Sequence, residues 1–153
     1  MSKNNVLALI DGSEFSLLIL HYIKQFLTPA THAVLLFCVK EEPPLLQPEH
    51  AAQADFSADF LRERETLAQK IVHELEPQQR TLEAAGFDTS IAVRFGDPVQ
   101  EIDQFLDENK IDLIAMTTHG RTGLRRVLVG SVAQHLLQHA ALPILLYRPL
   151  GYA

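Results

Sequence analysis

Between Met116 and His139 the chain reads MTTHGRTGLRRVLVGSVAQHLLQH, and this stretch concentrates residue types that handle anions. Gly120, Gly123 and Gly130 would let backbone amides approach a bulky anion, because a residue without Cβ offers no steric barrier. Gly130-Ser131 opens an apolar-periodic segment, so a helix beginning there would aim its unpaired N–H groups and positive dipole end at negative charge. Ser131 can cap that helix or donate to a phosphate oxygen. Guanidinium groups grip phosphate oxygens bidentately. Among the arginines of the stretch, Arg121 is the phosphate candidate, while Arg125 and Arg126 read as a solvated face. Taken alone, these residues leave two readings open: a phosphate cradle, or a turn between two packed elements.

Other chemistries are less well supplied. Neither GxxxxGK[ST] nor GxGxxG after the first strand is present, which disfavours ordinary P-loop and dinucleotide-binding readings. Asp11 in "DGSEF" suits a ligand contact or an Asx-type turn, and Ser13 beside it lies in no G-x-S-x-G elbow. There are seven histidines, of which His135 and His139 stand one helical turn apart, yet no cysteine or third histidine has the spacing of a zinc site. His119 adjoins the glycine loop and reads as a surface residue. "HELEP" at His73 lacks the second histidine of a metalloprotease helix. The single cysteine, Cys38, is embedded in "AVLLFCV" and reads as a small buried hydrophobe, not a nucleophile.

The elements that must position these groups follow from periodicity. Val6 to Ile10 is an apolar run ending at Asp11-Gly12-Ser13, after which Leu17, Leu20, Ile23 and Leu27 repeat at helical spacing until Thr28-Pro29. "HAVLLFCVK" is apolar on both faces, as a central strand covered by helices on each side would be. The proline-rich "EEPPLLQPEHAAQA", Glu41 to Ala54, predicts a loop or flap. From Asp55 to Ala85 the pattern is helical, with Phe56, Phe60, Leu67, Ile71, Leu75 and Leu82 as core positions. Pro77 predicts a kink or break near His73 to Glu76, and Gly86 marks the helix end. "TSIAVRF" alternates and reads as a strand nearer an edge. Asp97-Pro98 predicts an N-cap and first turn, with Gln100 completing a capping box and the helix running to about Asn109. "IDLIAMTT" and "LPILLYRP" complete five strands alternating with helices, the pattern of a parallel, doubly wound α/β sheet.

With 153 residues and no internal repeat or linker, one domain spanning 1–153 is expected. A net charge of −6 repels nucleic acid and anionic membranes, so neither is an expected partner. The five-residue apolar run at Val6 is too short for a signal or transmembrane segment, and a cytoplasmic location is expected.

In an open parallel sheet, ligands sit at the carboxyl ends of the strands where the strand order reverses. Asp11, Val39-Lys40 and Thr117 to Gly120 all fall there. The spacing Thr117-x-x-Gly120, nine residues, Gly130-Ser131 closely resembles G-x2-G-x9-G-[S/T], the nucleotide loop of the universal stress protein family. The resemblance extends over essentially the whole chain, through "ALIDGSEFS", "FGDPVQEI", "IDLIAMTTHGRTGL", "VGSVAQHLL" and "LPILLYR". It implies a five-stranded parallel sheet in the order 3-2-1-4-5 and homodimers formed through the fifth strand, here Pro143 to Arg148. In one subgroup it implies bound ATP, with Mg or Mn through the phosphates. By the family pattern, Asp11 would lie at the ribose, Val39 would meet adenine through its backbone, and Met116 would line the base pocket. Gly120, Gly130, Ser131 and the Val132 amide would hold the phosphates. The first motif glycine is Thr117 here, whose β-branched side chain either crowds the ligand or supplies a hydroxyl to it. The expectation is a dimeric, ATP-binding regulatory module. Its rivals are a scaffold without nucleotide and a slow metal-dependent ATP hydrolase, for which Asp11 is the one evident general base.

Overall fold

A computed structural model describes residues 2–42, 56–118 and 130–149. Five strands, β1 (Asn4–Leu9), β2 (His32–Lys40), β3 (Asp88–Phe95), β4 (Leu113–Thr117) and β5 (Ile144–Tyr147), form one sheet in the order β3-β2-β1-β4-β5. Every pairing is parallel. This is the architecture and strand order expected. β2 lies inside the sheet and β3 at its edge, as their apolar patterns require.

Helices cover both faces, which is why β1 and β2 are apolar at consecutive positions. On one face, Val6, Ala8, Ile10, Val34, Leu36 and Cys38 pack against α1 (Glu14–Leu17), α2 (Ile19–Phe26) and α3 (Phe56–Ala84). On the other, Leu7, Leu9, Phe37, Ile114 and Met116 pack against α4 (Pro98–Glu108) and α5 (Ser131–His139). Cys38 is fully buried, and burial pushes its thiol pKa up, so its behaviour is that of a core residue.

Three local features differ from the pattern read in sequence. The first helical segment is split at Leu18, where Leu18 N donates to Phe15 O (3.2 Å) and His21 N to Leu18 O (3.2 Å), a tight turn of i→i−3 bonds. Leu20 and Ile23 still reach the core. Around Pro77, α3 does not break: it continues for 29 residues. Pro77 is on the solvent face, where water can hydrate the carbonyl it leaves unpaired, and buried Ile71, Leu75 and Leu82 hold the helix to the sheet on either side of it. Phe60 and Leu67 are half-buried, and the side chain of Phe56 is outside the described set. Third, Ser131 is the first helical residue of α5; the N-cap is Gly130, which offers no side-chain hydrogen bond.

The end of α3 follows the sequence signal. Gly86 N donates to Glu83 O (2.8 Å) and Phe87 N to Leu82 O (3.1 Å), the paired bonds of a Schellman motif, with Phe87 and Leu82 buried beside it. Gly86 has φ +95°, the left-handed conformation this closure needs. No helix among the described residues is long and apolar enough to cross a membrane.

Candidate functional site

The last paired residues of β1 and β4 are Ala8 and Ala115. Beyond them the strands part: Ile10 N donates to Phe37 O of β2 (2.9 Å), whereas Thr118 N donates to Tyr147 O of β5 (2.8 Å). The fork is the switch point of the sheet, since chain connections run outward in opposite directions from β1 and β4. A cleft of ≈ 260 Å³ occupies it.

The cleft has an apolar wall and a polar end. Leu9, Phe37, Val39, Ile102 and Met116 line it from the sheet and α4; Asp11, Ser16, Thr117, Thr118, Gly130 and Ser131 bring polar groups. Seven of the residues singled out in sequence, Asp11, Val39, Met116, Thr117, Gly130, Ser131 and Val132, meet there. Gly120 and Arg121 lie outside the described residues, as do His119, Gly123, Arg125, Arg126 and the flap from residue 43 to Ala54. The wall formed by Pro98 and Ile102 was not singled out: it arises because α4 begins at the same carboxyl edge, behind its Asp97 cap. Ser16 and Phe37 were likewise missed, whereas Thr118 falls within the Thr117 to Gly120 stretch expected at this edge.

The N-termini of α4 and α5 at this edge differ. That of α4 is closed, with Asp97 Oδ1 accepting from Gln100 N (3.0 Å). That of α5 has no side-chain cap, and the helix geometry leaves the Ser131, Val132 and Ala133 N–H groups without intrahelical acceptors. All three residues line the cleft, and such donors together with the positive end of a helix dipole favour an anion.

Asp11 makes an Asx turn, its Oδ1 accepting from Ser13 N (2.8 Å), while its own N donates to Ser16 Oγ (3.2 Å). Lys40 Nζ donates to the Asp11 carbonyl (2.7 Å). Across the fork, Thr117 and Thr118 are 5% and 4% exposed, and neither hydroxyl has a hydrogen-bond partner among the described residues. Two buried hydroxyls without partners are costly, roughly 1–3 kcal/mol each. Both hydroxyls line the cleft, and each calls for a partner beyond the described residues.

A second hollow of ≈ 350 Å³ lies at the amino ends of β1, β2 and β3. Several of its polar groups are engaged within the fold: Asn5 Nδ2 donates to Lys110 O (2.9 Å), Asn109 Nδ2 to Phe105 O (3.0 Å), and Asp88 pairs with Lys3 (2.7 Å). Size alone does not mark the site; the smaller cleft is the one lined by the α5 N-terminus and the two threonines. His135 is also engaged, its Nε2 within 2.8 Å of Asp103 Oδ2, with the His139 ring stacked on it at 4.5 Å. Among the described residues no group of three or more side chains is arranged to hold a metal ion.

The universal stress protein family model matches residues 3–148. The chain belongs to the universal stress protein family. Universal stress protein MJ0577 of Methanocaldococcus jannaschii is 25% identical over 149 residues, covering 90% of each chain. A solved structure of protein MJ0577 matches with TM-score 0.77 at 23% identity over 99% of both chains. A universal stress protein in complex with cAMP matches with TM-score 0.63 at 19% identity, covering 97% of this chain and 98% of that one. An Arabidopsis thaliana family protein with AMP bound matches with TM-score 0.63 at 17% identity, covering 95% and 91%. At these identities the structural matches establish the fold of this family member, and its chemistry rests on its own cleft.

Proposed function

We propose that this universal stress protein is a nucleotide-dependent regulatory module that binds an adenine nucleotide, ATP with Mg or Mn through its phosphates, in the cleft between β1 and β4. One observation carries the reading: an α5 N-terminus without a side-chain cap and two threonine hydroxyls without partners among the described residues line a cleft whose other wall is apolar. An adenine nucleotide is complementary in the same order. Its base would lie along Val39, Met116 and Ile102, and its ribose hydroxyls would reach Asp11. Its phosphates would take the amides of Ser131 and Val132, the backbone at Gly130 and Gly120, and Arg121. The Thr117 hydroxyl, without a partner among the described residues, supports the view that this residue donates to the ligand in place of the backbone approach a glycine would give. Relatives of the same fold that hold AMP and cAMP point to the same ligand class.

The divalent ion would neutralise phosphate charge when bound. The chain's own part is to bind and orient: the apolar wall excludes water from the base face, and the α5 amides meet the phosphate oxygens. Beyond Asp11, no described cleft residue is a general base, so the output proposed is a change of shape or partner, with hydrolysis at most slow. A homodimer through Pro143 to Arg148 is part of the proposal. β5 is the sheet edge, and its Ile144, Leu145, Leu146 and Tyr147 are all only half-buried, an apolar edge of the kind that invites pairing. Light scattering at micromolar concentration tests this, a monomeric mass counting against it.

The test of the ligand is to denature protein purified without added nucleotide, identify any released small molecule, and titrate the stripped protein with Mg-ATP by calorimetry. Stoichiometric ATP, with affinity reduced in Asp11→Asn, is the expected result. Absence of nucleotide in both measurements would favour the scaffold reading, in which Thr117 fills the ligand's place.

A further inference from the structure

Lys40 is the last residue of β2, and its main chain is fixed by the ladder: it pairs with Phe95, and its carbonyl accepts from Gly96 N at 2.9 Å. Its side chain leaves that strand and crosses to the β1 loop, where Nζ donates to the Asp11 carbonyl at 2.7 Å. The ammonium would be 3.0 Å from a Cβ at position 12, so the glycine there, at φ +89°, gives it room.

Residue 11 is thus held at three points at least. Ser16 receives its N–H (3.2 Å), Ser13 N binds its carboxylate (2.8 Å), and Lys40 binds its carbonyl. The first two contacts are local, within five residues. The Lys40 bond spans 29 residues and joins the turn to the strand whose Val39 lines the cleft. It is a short bond from a charged donor, the strong class. It also acts where the backbone is softest, because the peptide between Asp11 and Gly12 adjoins a glycine that tolerates either orientation. Pinning that carbonyl fixes the direction from which the Asp11 side chain leaves the main chain. Lys40 itself is not among the residues lining the cleft, so its effect on a ligand there passes through Asp11.

We propose that Lys40 is a positioning residue for ribose recognition: it locks the Asp11-Gly12 peptide so that the Asp11 carboxylate meets the sugar hydroxyls of the bound nucleotide. The inference rests on the adenine-nucleotide reading of the cleft. A simpler role for a lysine at this rim, attraction of the phosphates by its charge, makes a different prediction. Loss of charge weakens every adenine nucleotide alike; loss of positioning weakens only those carrying the hydroxyl that Asp11 reads.

The experiment is a calorimetric titration of wild type, Lys40→Met and Lys40→Arg with Mg-ATP and with its 2′-deoxy and 3′-deoxy counterparts, circular dichroism verifying the fold of each variant. Wild type should prefer ATP over at least one deoxy counterpart by about tenfold, the scale of a hydrogen bond to a charged group. Lys40→Met should weaken ATP by about five- to tenfold while binding that deoxy counterpart as wild type does, so the preference collapses. Lys40→Arg, which keeps a charged donor, should retain most of it. Equal weakening of all three ligands, or an unchanged preference, would overturn the positioning role while leaving the nucleotide site standing. Wild type that binds none of the three would instead overturn the nucleotide reading, and this inference with it.

Discussion

Replacing Thr117 with valine separates what the fold needs from what a ligand needs. The side chain is 5% exposed and its Oγ1 has no partner among the described residues. Such a hydroxyl costs roughly 1–3 kcal/mol. Valine keeps the branched shape and suits a strand at least as well. Without ligand, Thr117→Val should therefore be more stable than wild type by about 1 kcal/mol or more, a rise of about 2–4 °C in Tm per kcal/mol for a domain of this size. With ATP the order should narrow or reverse. Ligand at one hundred times its Kd adds about 2.7 kcal/mol to wild type, while a variant lacking a hydroxyl to donate loses about 0.5–1.5 kcal/mol of that binding. Urea unfolding of both proteins, with and without Mg-ATP, measures all four states. A ligand-free variant less stable than wild type would refute the reasoning, since the hydroxyl would then have a partner in the fold. A variant that gains as much with ATP as without would show that the hydroxyl serves no ligand.

Gly86→Ala places a side chain at φ +95° with its Cβ 3.3 Å from Pro29 Cβ, and should cost about 1–2 kcal/mol as a fall in urea midpoint at constant slope; a neutral result would mean the Schellman turn does not hold that conformation. Pro77→Ala restores a donor within α3 and should stabilise by up to about 3 kcal/mol, less the entropy the proline removes from the unfolded chain; lower stability would show that the packing of α3 requires the proline. Glu108 has its pKa lowered by hydrogen bonds from Arg94 and then Gln104. Because the folded value is depressed, the pair's stabilisation is present above the ordinary carboxylate range and is lost as pH falls through the lowered value. Arg94→Met should raise the Glu108 pKa in an NMR titration and cost stability at neutral pH but less in acid. A gap unchanged in acid would assign the loss to the stacking of Arg94 over Phe105, at 5.3 Å, instead.

How far the molecule can be read from its sequence depends on whether the determining contacts are local. The apolar runs at Val6 and Val34 carry their own evidence of two-sided burial, and Asp97-Pro98 and Gly86 are local backbone chemistry, so strands, cap and helix end were all legible. Strand order is a matter of long-range pairing and was legible only through family resemblance. The split at Leu18 depends on hydrogen bonds of a single turn that leave no mark on the periodicity of Leu17, Leu20 and Ile23. Ser131 has two roles open in the sequence, and one of them, the cap, belongs to Gly130 because the helix starts one residue earlier than a serine cap would require. In the cleft, the glycine-serine spacing and Asp11 were visible. The reach of Lys40 to Asp11 and the wall contributed by Ile102 were not, because they connect residues distant in sequence.

The central claim, that the cleft between β1 and β4 is an adenine-nucleotide site, is tested most directly by titrating nucleotide-free, isotopically labelled protein with Mg-ATP and following backbone amides by NMR. The account predicts that, among the described residues, the largest shifts fall at Asp11 to Ser13, Val39, Met116 to Thr118 and Gly130 to Ala133, with Asn5, Ala33, Asp88 and Lys110 at the opposite end unmoved. Shifts centred on that opposite hollow, or none at saturating ATP, would contradict it.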